Sequence, residues 1–381
     1  MLNIAEIIQL TSLTLTIAFM IWLGWGLLRK QKGISNRQPF VSVIIAARNE
    51  EYNLPRLLEC LAAQDYPAES VEFILVNDAS TDRTSDIIKS WTIRDSRFTM
   101  ISLEEDNQRI IGPKKRALTK ALEISRAEII IITDADCAPS QNWIRSTIRC
   151  FSEDVQAVTG AVRFETLDNF WSRWTAFEGL FNTILNAAVI QAGGALSCSG
   201  ANFAFRRAAF EQVGGYDLGG TSFSGDDDLL LQKFHHHKLT IVFNFDQDSR
   251  VLTGALRDAP SYWRRRRRHL SAGKHYAQSW VIMAAIVYIL SITSVILGGA
   301  YLLDLHKSSV VLLNWGVFSG FALILFFLGK KGLGERNWWG WAILTAILLP
   351  VLFAFVQPLC LLPSSPWKGR TVRFGIEEHG K

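Results

Sequence analysis

Apolar residues crowd the two ends of this 381-residue chain, and that segregation restricts its possible folds more than any single motif. From residue 4 to residue 28 the sequence is almost wholly apolar, with Glu6 the one charge near its start. Three further apolar stretches come late, at 280–303, 310–328 and 338–362. About 20 such residues in a helix cross a hydrocarbon core of roughly 30 Å. A soluble core helix rarely runs that far without a charge, so buried helices are the weaker reading. A cleaved signal peptide carries its basic residues ahead of the apolar run. Here none precedes Ile7, and Arg29, Lys30 and Lys32 follow, which predicts a retained anchor whose C-terminal end is cytoplasmic.

The late stretches extend that topology. An arginine run, 264–268, precedes the first of them, and Lys330, Lys331 and Arg336 lie between the second and third. Both basic loops then face the cytoplasm in a four-span arrangement. Lys368, Arg370 and Arg373 would fall outside, against the same rule, unless Pro350 marks a re-entrant hairpin. The cluster Trp338, Trp339, Trp341 suits a membrane-interface belt. Length alone suggests two or three domains. The expected organisation is a transmembrane anchor over 1–32, a cytoplasmic domain over 33–278, a membrane region of about three helices over 279–364, and a tail over 365–381.

The formal charge of +5 could come from the arginine run alone, which argues for one local anionic contact rather than a nucleic-acid-binding surface. Cys60, Cys137, Cys150, Cys198 and Cys360 form no CxxC pair, so a disulfide framework or a zinc site is not expected.

Between the apolar ends, runs rich in Val, Ile and Phe at 41–46, 72–77, 98–102 and 128–133 read as buried strands. Segments with helical spacing, 53–64, 82–91 and 114–125, lie between them. The alternation predicts an α/β fold with a mostly parallel central sheet flanked by helices. Ligands of such sheets sit at the carboxyl ends of the strands. Those ends carry Ala47-Arg48-Asn49-Glu50, Asp78-Ala79-Ser80-Thr81-Asp82 and Asp134-Ala135-Asp136. No glycine-rich phosphate loop occurs, which disfavours a Rossmann site or a P-loop. Ser80 and Asp82 also suit a helix N-cap.

Asp134 and Asp136 follow four isoleucines, so two carboxylates project from the mouth of a buried strand. Mutual repulsion and lost hydration disfavour that pair unless a cation such as Mg²⁺ or Mn²⁺ joins it. A solvated turn is the alternative. A second cluster, Asp226-Asp227-Asp228, opens an amphipathic segment. Helix-dipole stabilisation explains some acid there, and a general base for an acceptor hydroxyl explains more. His235, His236 and His237 follow, but adjacent histidines on a helix diverge and make a poor metal site.

Taken in order, these motifs resemble the family 2 glycosyltransferases, whose catalytic domain has the GT-A nucleotide-diphospho-sugar transferase fold. The resemblance covers about residues 40–273 and rests on the segments at 41–51, 76–82, 112–118, 134–136, 199–206 and 225–229. It implies a hexosyl- or N-acetylhexosaminyl-transferase. Ala47, Arg48, Asn49, Glu50, Asp78, Ser80, Lys114 and Asp134 would bind the nucleotide sugar, and Asp136 with Asp134 would hold Mg²⁺ or Mn²⁺. Ser199, Gly200 and Asn202 would line the acceptor side. Asp226 would be the catalytic base of an inverting displacement, with Asp227 next if the register slips by one. The expected partners are a nucleotide diphosphate sugar, a lipid or glycan acceptor and the inner membrane of the cell, with no nucleic acid.

The match departs from processive synthases of the family, which carry Gln-x-x-Arg-Trp before their membrane helices. Here the segment is Arg266-Arg267-Arg268-His269-Leu270, without the tryptophan. Arg266, Arg268 and His269 could meet the donor diphosphate or lipid headgroups, or the run could only set topology. The segment 170–190 places Trp171, Trp174, Phe177, Phe181 and Leu185 at helical steps, which suits a core-facing helix or an interfacial one beside a lipid acceptor. A polysaccharide synthase and a non-catalytic nucleotide-sugar-binding scaffold are the competing functions.

Overall fold

The computed structural model describes residues 4–29, 35–105, 112–216, 226–273, 276–303, 310–335 and 338–356. An apolar helix α1 (Ile4–Leu28) leads into β1 (Val41–Ala47), α2 (Leu54–Ala62), β2 (Val71–Asp78), α3 (Thr84–Arg94) and β3 (Phe98–Leu103). Next come α4 (Pro113–Ile124), β4 (Ile129–Asp134), β5 (Cys137–Pro139), α5 (Trp143–Arg149), β6 (Val155–Gly160) and β7 (Val162–Phe164). The long α6 (Phe170–Gln191) precedes β8 (Phe203–Arg206), α7 (Arg207–Gln212), α8 (Asp226–His236), β9 (Thr240–Asn244) and β10 (Val251–Thr253). Helices α9 (Ala259–Ala272), α10 (Gln278–Leu302), α11 (Val310–Gly332) and α12 (Trp339–Val356) close the described chain.

The expected strands and helices of the first half all form, with ends shifted by a few residues. Their sequences explain the layers. In β1 and β4 every residue up to the last is apolar or small, and successive side chains point to opposite faces. Val41, Val43, Ile45, Ile129 and Ile131 join one core with Leu54, Leu57 and Leu61 of α2 and Trp143 of α5. Ile44, Ile130 and Ile132 join the other with Ala117, Leu118 and Ala121 of α4 and Leu230, Leu231 and Phe234 of α8. The sheet order is β3-β2-β1-β4-β8-β6-β9, parallel throughout except on both sides of β8. A small second sheet, β5-β10-β7, lies beyond β4. Its strands are three residues each, too short for a periodicity signal in the sequence.

Helix α6 joins this domain to the terminal helices. Phe177, Leu180 and Ile184 share a core with Leu23 of α1 and Leu325 and Phe326 of α11. A side chain at Gly26 would collide with the Ala188 carbonyl, and one at Gly329 with Ile184, so both helices approach α6 through glycine. Trp174 and Phe177 meet Trp341, with ring centroids 6.0 and 6.5 Å apart. The core-facing reading of 170–190 therefore holds for this flank of the helix.

Outward, the terminal helices keep apolar side chains exposed: Ile21 is 68%, Ile289 59%, Ile296 64% and Phe355 71% accessible. Among the described residues one segment, Trp315–Gly332 of α11, is long and apolar enough by composition to cross a membrane. The apolar parts of the other three, Leu13–Leu28, Ser291–Leu302 and Trp339–Leu348, are shorter. Polar residues dilute α1, where the Thr11 and Thr14 hydroxyls donate to the carbonyls of Ile7 and Leu10, each at 2.9 Å. Lys30, Lys32, Arg336, Gly225 and everything from residue 357 onward, including Lys368, Arg370, Arg373 and Cys360, lie outside the described residues.

Candidate active site

Strand pairing brings three carboxyl ends level: Ala46 lies opposite Asp134, and Ala47 opposite Asn77. Asn49 and Ala79 then take φ values of +52° and +50°, which turns both chains sharply out of the sheet. The two loops bind each other. Ser80 Oγ accepts from the Asn49 N–H at 3.2 Å, Thr84 Oγ1 from the Glu50 N–H at 2.8 Å, and Asp82 Oδ2 from the Glu51 N–H at 3.1 Å. Ser80 thus braces the first loop, while Asp82 also accepts from the Thr84 N–H at the start of α3. Burial would raise the Asp82 carboxyl, but the bonds from Thr84 and Glu51 outweigh it and hold it low. Arg48, buried under both loops, donates to the Asp78 and Ala79 carbonyls at 2.8 and 3.0 Å.

Beside these loops opens a cleft of about 570 Å³. Asp134, Asp136, Ser199 and Gly200 line it, together with Asp226, Asp227 and Asp228 at the N-terminus of α8. Lys114 links the two acid groups: its Nζ donates to Asp134 Oδ1 at 2.6 Å. Burial would lower the Lys114 ammonium, yet Asp134, Asp227 and Asp226 together push it above its ordinary value. Burial likewise works against ionised Asp134, but Lys114, Arg268 and Arg265 keep it below the usual carboxylate range.

The α8 acids differ from one another. Asp226 is 6% exposed, its Oδ1 makes no hydrogen bond, and the Lys115 Nζ ammonium stands 3.8 Å from it. Burial, moderated by Lys114 and Lys115, pushes its carboxyl up to about 6. Asp227 Oδ2 accepts from the Gly200 N–H, and its Oδ1 from the Asp228 N–H at 3.1 Å. Asp228 accepts from the Cys198 N–H at 2.8 Å and from the Tyr276 hydroxyl. Burial and the neighbouring Asp227 push it up to about 7.

The far wall comes from α6 and α9. Arg265 lies over the Phe164 ring at 4.2 Å, and Arg266 pairs with Glu178 of α6 at 3.3 Å. Glu178 also accepts from the Tyr262 hydroxyl at 3.1 Å. Arg268 and His269 line the same wall.

The profile of glycosyl transferase family 2 matches residues 42–214, and that of glycosyl transferase family group 2 matches residues 129–357, more than half of the chain. The chain belongs to the family 2 group of glycosyltransferases. A probable glycosyltransferase of Bacillus subtilis, YdaM, is 26% identical over 258 residues, which is 62% of this chain and 56% of that protein. A beta-monoglucosyldiacylglycerol synthase of Nostoc is 26% identical over 259 residues, 66% of this chain and 52% of that protein. The chain thus spans about half the length of the curated relatives it matches. Its fold is shared with the mannosyltransferase PcManGT of Pyrobaculum calidifontis, solved in complex with GDP-Man and Mn²⁺. The TM-score is 0.60 at 17% identity, covering 93% of this chain and 97% of that one.

Within this glycosyltransferase the expected site residues divide. Glu50, Lys114, Asp134, Asp136, Ser199, Gly200, Asp226, Asp227, Arg266, Arg268 and His269 line one cleft. Ala47, Arg48 and Asp78 are buried behind its rim, and Asn49 and Ser80 are spent on joining the two loops. Asn202 turns away from the acceptor side. Its amide donates to the Ala161 and Ser249 carbonyls at 3.0 and 2.7 Å and accepts from Trp143 Nε1 at 2.9 Å. A buried carboxamide so fully bonded is a packing element. His235, His236 and His237 are exposed at the far end of α8. Glu178, Tyr262 and Tyr276 line the cleft unanticipated, and Arg265 joins them from the arginine run already singled out in the sequence. A signal for Glu178 alone lay in the polar spacing of Thr175, Glu178, Asn182 and Asn186 within a largely apolar helix.

Asp134, Asp136 and Cys137 offer ligand atoms within 4.8 Å of one another. Burial pushes the Cys137 thiol well up, so it stays protonated and leaves an oxygen donor pair. Two carboxylates opening on a cleft suit a hard cation, Mg²⁺ or Mn²⁺, better than zinc.

Proposed function

We propose that this enzyme transfers a sugar, with inversion, from a nucleotide diphosphate donor to a hydroxyl of a membrane-embedded acceptor at the cytoplasmic face of the inner membrane. The observation that carries the reading is the pairing, in one cleft, of a cation-suited acid pair with a buried carboxylate held near about 6. Asp226 then takes the proton from the acceptor hydroxyl, and with a value near neutrality it is largely ionised yet basic enough to do so. The acceptor oxygen forms its bond to the anomeric carbon as the bond from that carbon to the diphosphate breaks. Asp134 and Asp136 would hold Mg²⁺ or Mn²⁺, which supplies charge to offset the departing diphosphate. Arg265 and Arg268, whose charges reach Asp134, add to that positive field. Glu50 and the loops braced by Ser80 and Asn49 form the nucleotide side.

The membrane reading draws on the outward apolar faces of α1, α10, α11 and α12, because exposed apolar bands of this extent seldom face water. The Nostoc relative's name, a synthase of a glucosylated diacylglycerol, favours a lipid acceptor. A processive synthase finds less support, since the segment at 266–270 lacks the tryptophan of those enzymes.

The test is a donor screen by mass spectrometry. Detergent-purified protein receives Mn²⁺ or Mg²⁺, several nucleotide sugars and a total lipid extract. One nucleoside diphosphate released per lipid heavier by one sugar is expected. A ladder of products would favour the synthase, and binding without turnover would favour the scaffold.

A further inference from the structure

Helix α6 is apolar around most of its circumference, yet one stripe of it is polar and faces the cleft. Thr175, Glu178, Asn182 and Asn186 fall at steps of three or four residues and, with Thr183 beside them, line the same cavity as Asp226. The opposite flank carries Phe177, Leu180 and Ile184 into the core shared with α1 and α11. A cavity wall that meets hydrocarbon-facing helices on its back would ordinarily be apolar too. The Asn182 and Asn186 carboxamides are half-buried and, among the described residues, make no side-chain hydrogen bond. Each offers one acceptor and two donors toward the cleft.

The charges nearby narrow what those groups can meet. Arg266 is paired with Glu178 of the stripe at 3.3 Å, and the Tyr262 hydroxyl donates to the same carboxylate. Beyond Glu178 stand Asp226, Asp227 and Asp228. A phosphate seated along α6 would meet four carboxylates beside the already-paired Arg266, while Arg265 and Arg268, which line the same cleft, act on Asp134 at the acid pair. Sugar or glycerol hydroxyls, each both donor and acceptor, match carboxamides and threonine hydroxyls without a charge cost.

From this juxtaposition we infer that the polar stripe of α6 is the acceptor subsite, and that it selects a neutral, polyhydroxylated lipid headgroup over a lipid phosphate. The inference rests on the transferase reading above and specifies its acceptor. Asn182 and Asn186 hold the headgroup, and Glu178, fixed by Arg266 and Tyr262, sets the border beyond which anionic groups are excluded.

The experiment uses the full chain in phosphatidylcholine nanodiscs with the donor found by the screen. One set of discs contains a monoglycosyl diacylglycerol, the other a polyprenyl phosphate. Transfer to the glycolipid is expected, at a kcat/KM at least about tenfold above that for the polyprenyl phosphate. The double variant Asn182→Ala, Asn186→Ala, which keeps good helix formers in α6, should raise the glycolipid KM about tenfold, the size of two lost net hydrogen bonds. Its cation-dependent donor binding, measured by calorimetry, should not change, which also reports that the variant is folded. Preference for the polyprenyl phosphate, or an unchanged glycolipid KM in the variant, would overturn the inference. Donor binding and hydrolysis with transfer to neither lipid would overturn it as well, while leaving donor recognition in place. Absence of donor binding in the parent protein would instead bring down the transferase reading itself.

Discussion

At the scale of single residues, the chemistry depends on carboxylates held in unlike surroundings. Asp134 is kept ionised by Lys114, whereas Asp226 and Asp228 are raised by burial to about 6 and about 7. If Asp226 is the base proposed above, turnover should rise with pH along a limb whose apparent midpoint lies at about 6, because the carboxyl accepts a proton only when ionised. A pH series of kcat at saturating donor checks this. Asp136→Ala should abolish cation-dependent donor binding in a titration with Mn²⁺. Asp228 makes a separate prediction about stability. An unfolded aspartate titrates near about 3.9, and the folded value is higher, so the native state binds more protons between the two. Its stabilising contribution is present below the unfolded value and is lost as pH rises through about 7. Asp228→Asn should flatten that decline, visible as a melting temperature that gains on the parent between about pH 5 and about pH 8.

At the scale of elements, two helices do most of the positioning. The start of α10 is fastened to α8 twice: Tyr276 donates to Asp228, and the Ala277 N–H donates to Gln232 Oε1 at 2.7 Å. Tyr276→Phe removes one tie next to the acid cluster and should lower kcat about tenfold, as misplacing a catalytic group does, with the donor KM unchanged. Helix α6 is approached through Gly26 and Gly329, so Gly329→Leu should separate α11 from α6 and lower the melting temperature in detergent. The parallel half of the sheet was legible in the sequence because β1, β2 and β4 are short runs rich in Val and Ile, and β2 and β4 end in Asp78 and Asp134. Asp134, Asp136 and the α8 acids, singled out in the sequence at element boundaries, come together in one cleft. Glu178, Tyr262 and Tyr276 were not legible. Each acquires its role from a partner more than 40 residues away in sequence, through a bond that no local pattern encodes. Asn202 misled for the converse reason: a polar residue in a site-like segment was already consumed by three buried partners.

At the scale of the whole molecule, a two-core α/β domain stands on a set of apolar helices with α6 as the shared element. Glu335, between α11 and α12, is buried and pairs with Arg163 at 2.8 Å, so the loop at the end of α11 is locked to the catalytic domain. The protein should accordingly stay with membranes through alkaline carbonate washing and be released only by detergent, as sedimentation followed by immunoblotting would record. The segregation of apolar residues to the chain ends was plain in the sequence, while the packing of α1 against α6 and α11, far apart in sequence, emerged only in three dimensions.

The most direct test of sugar transfer driven by a buried base is to follow Asp226→Asn and Asp227→Asn beside the parent enzyme, measuring donor binding and single-turnover transfer in the same preparations. Asp226→Asn should bind donor as the parent does and lose at least about 100-fold in transfer, as expected for a missing general base, with Asp227→Asn affected less. Full turnover by Asp226→Asn would contradict the assignment and shift the base to Asp227 or away from α8 altogether.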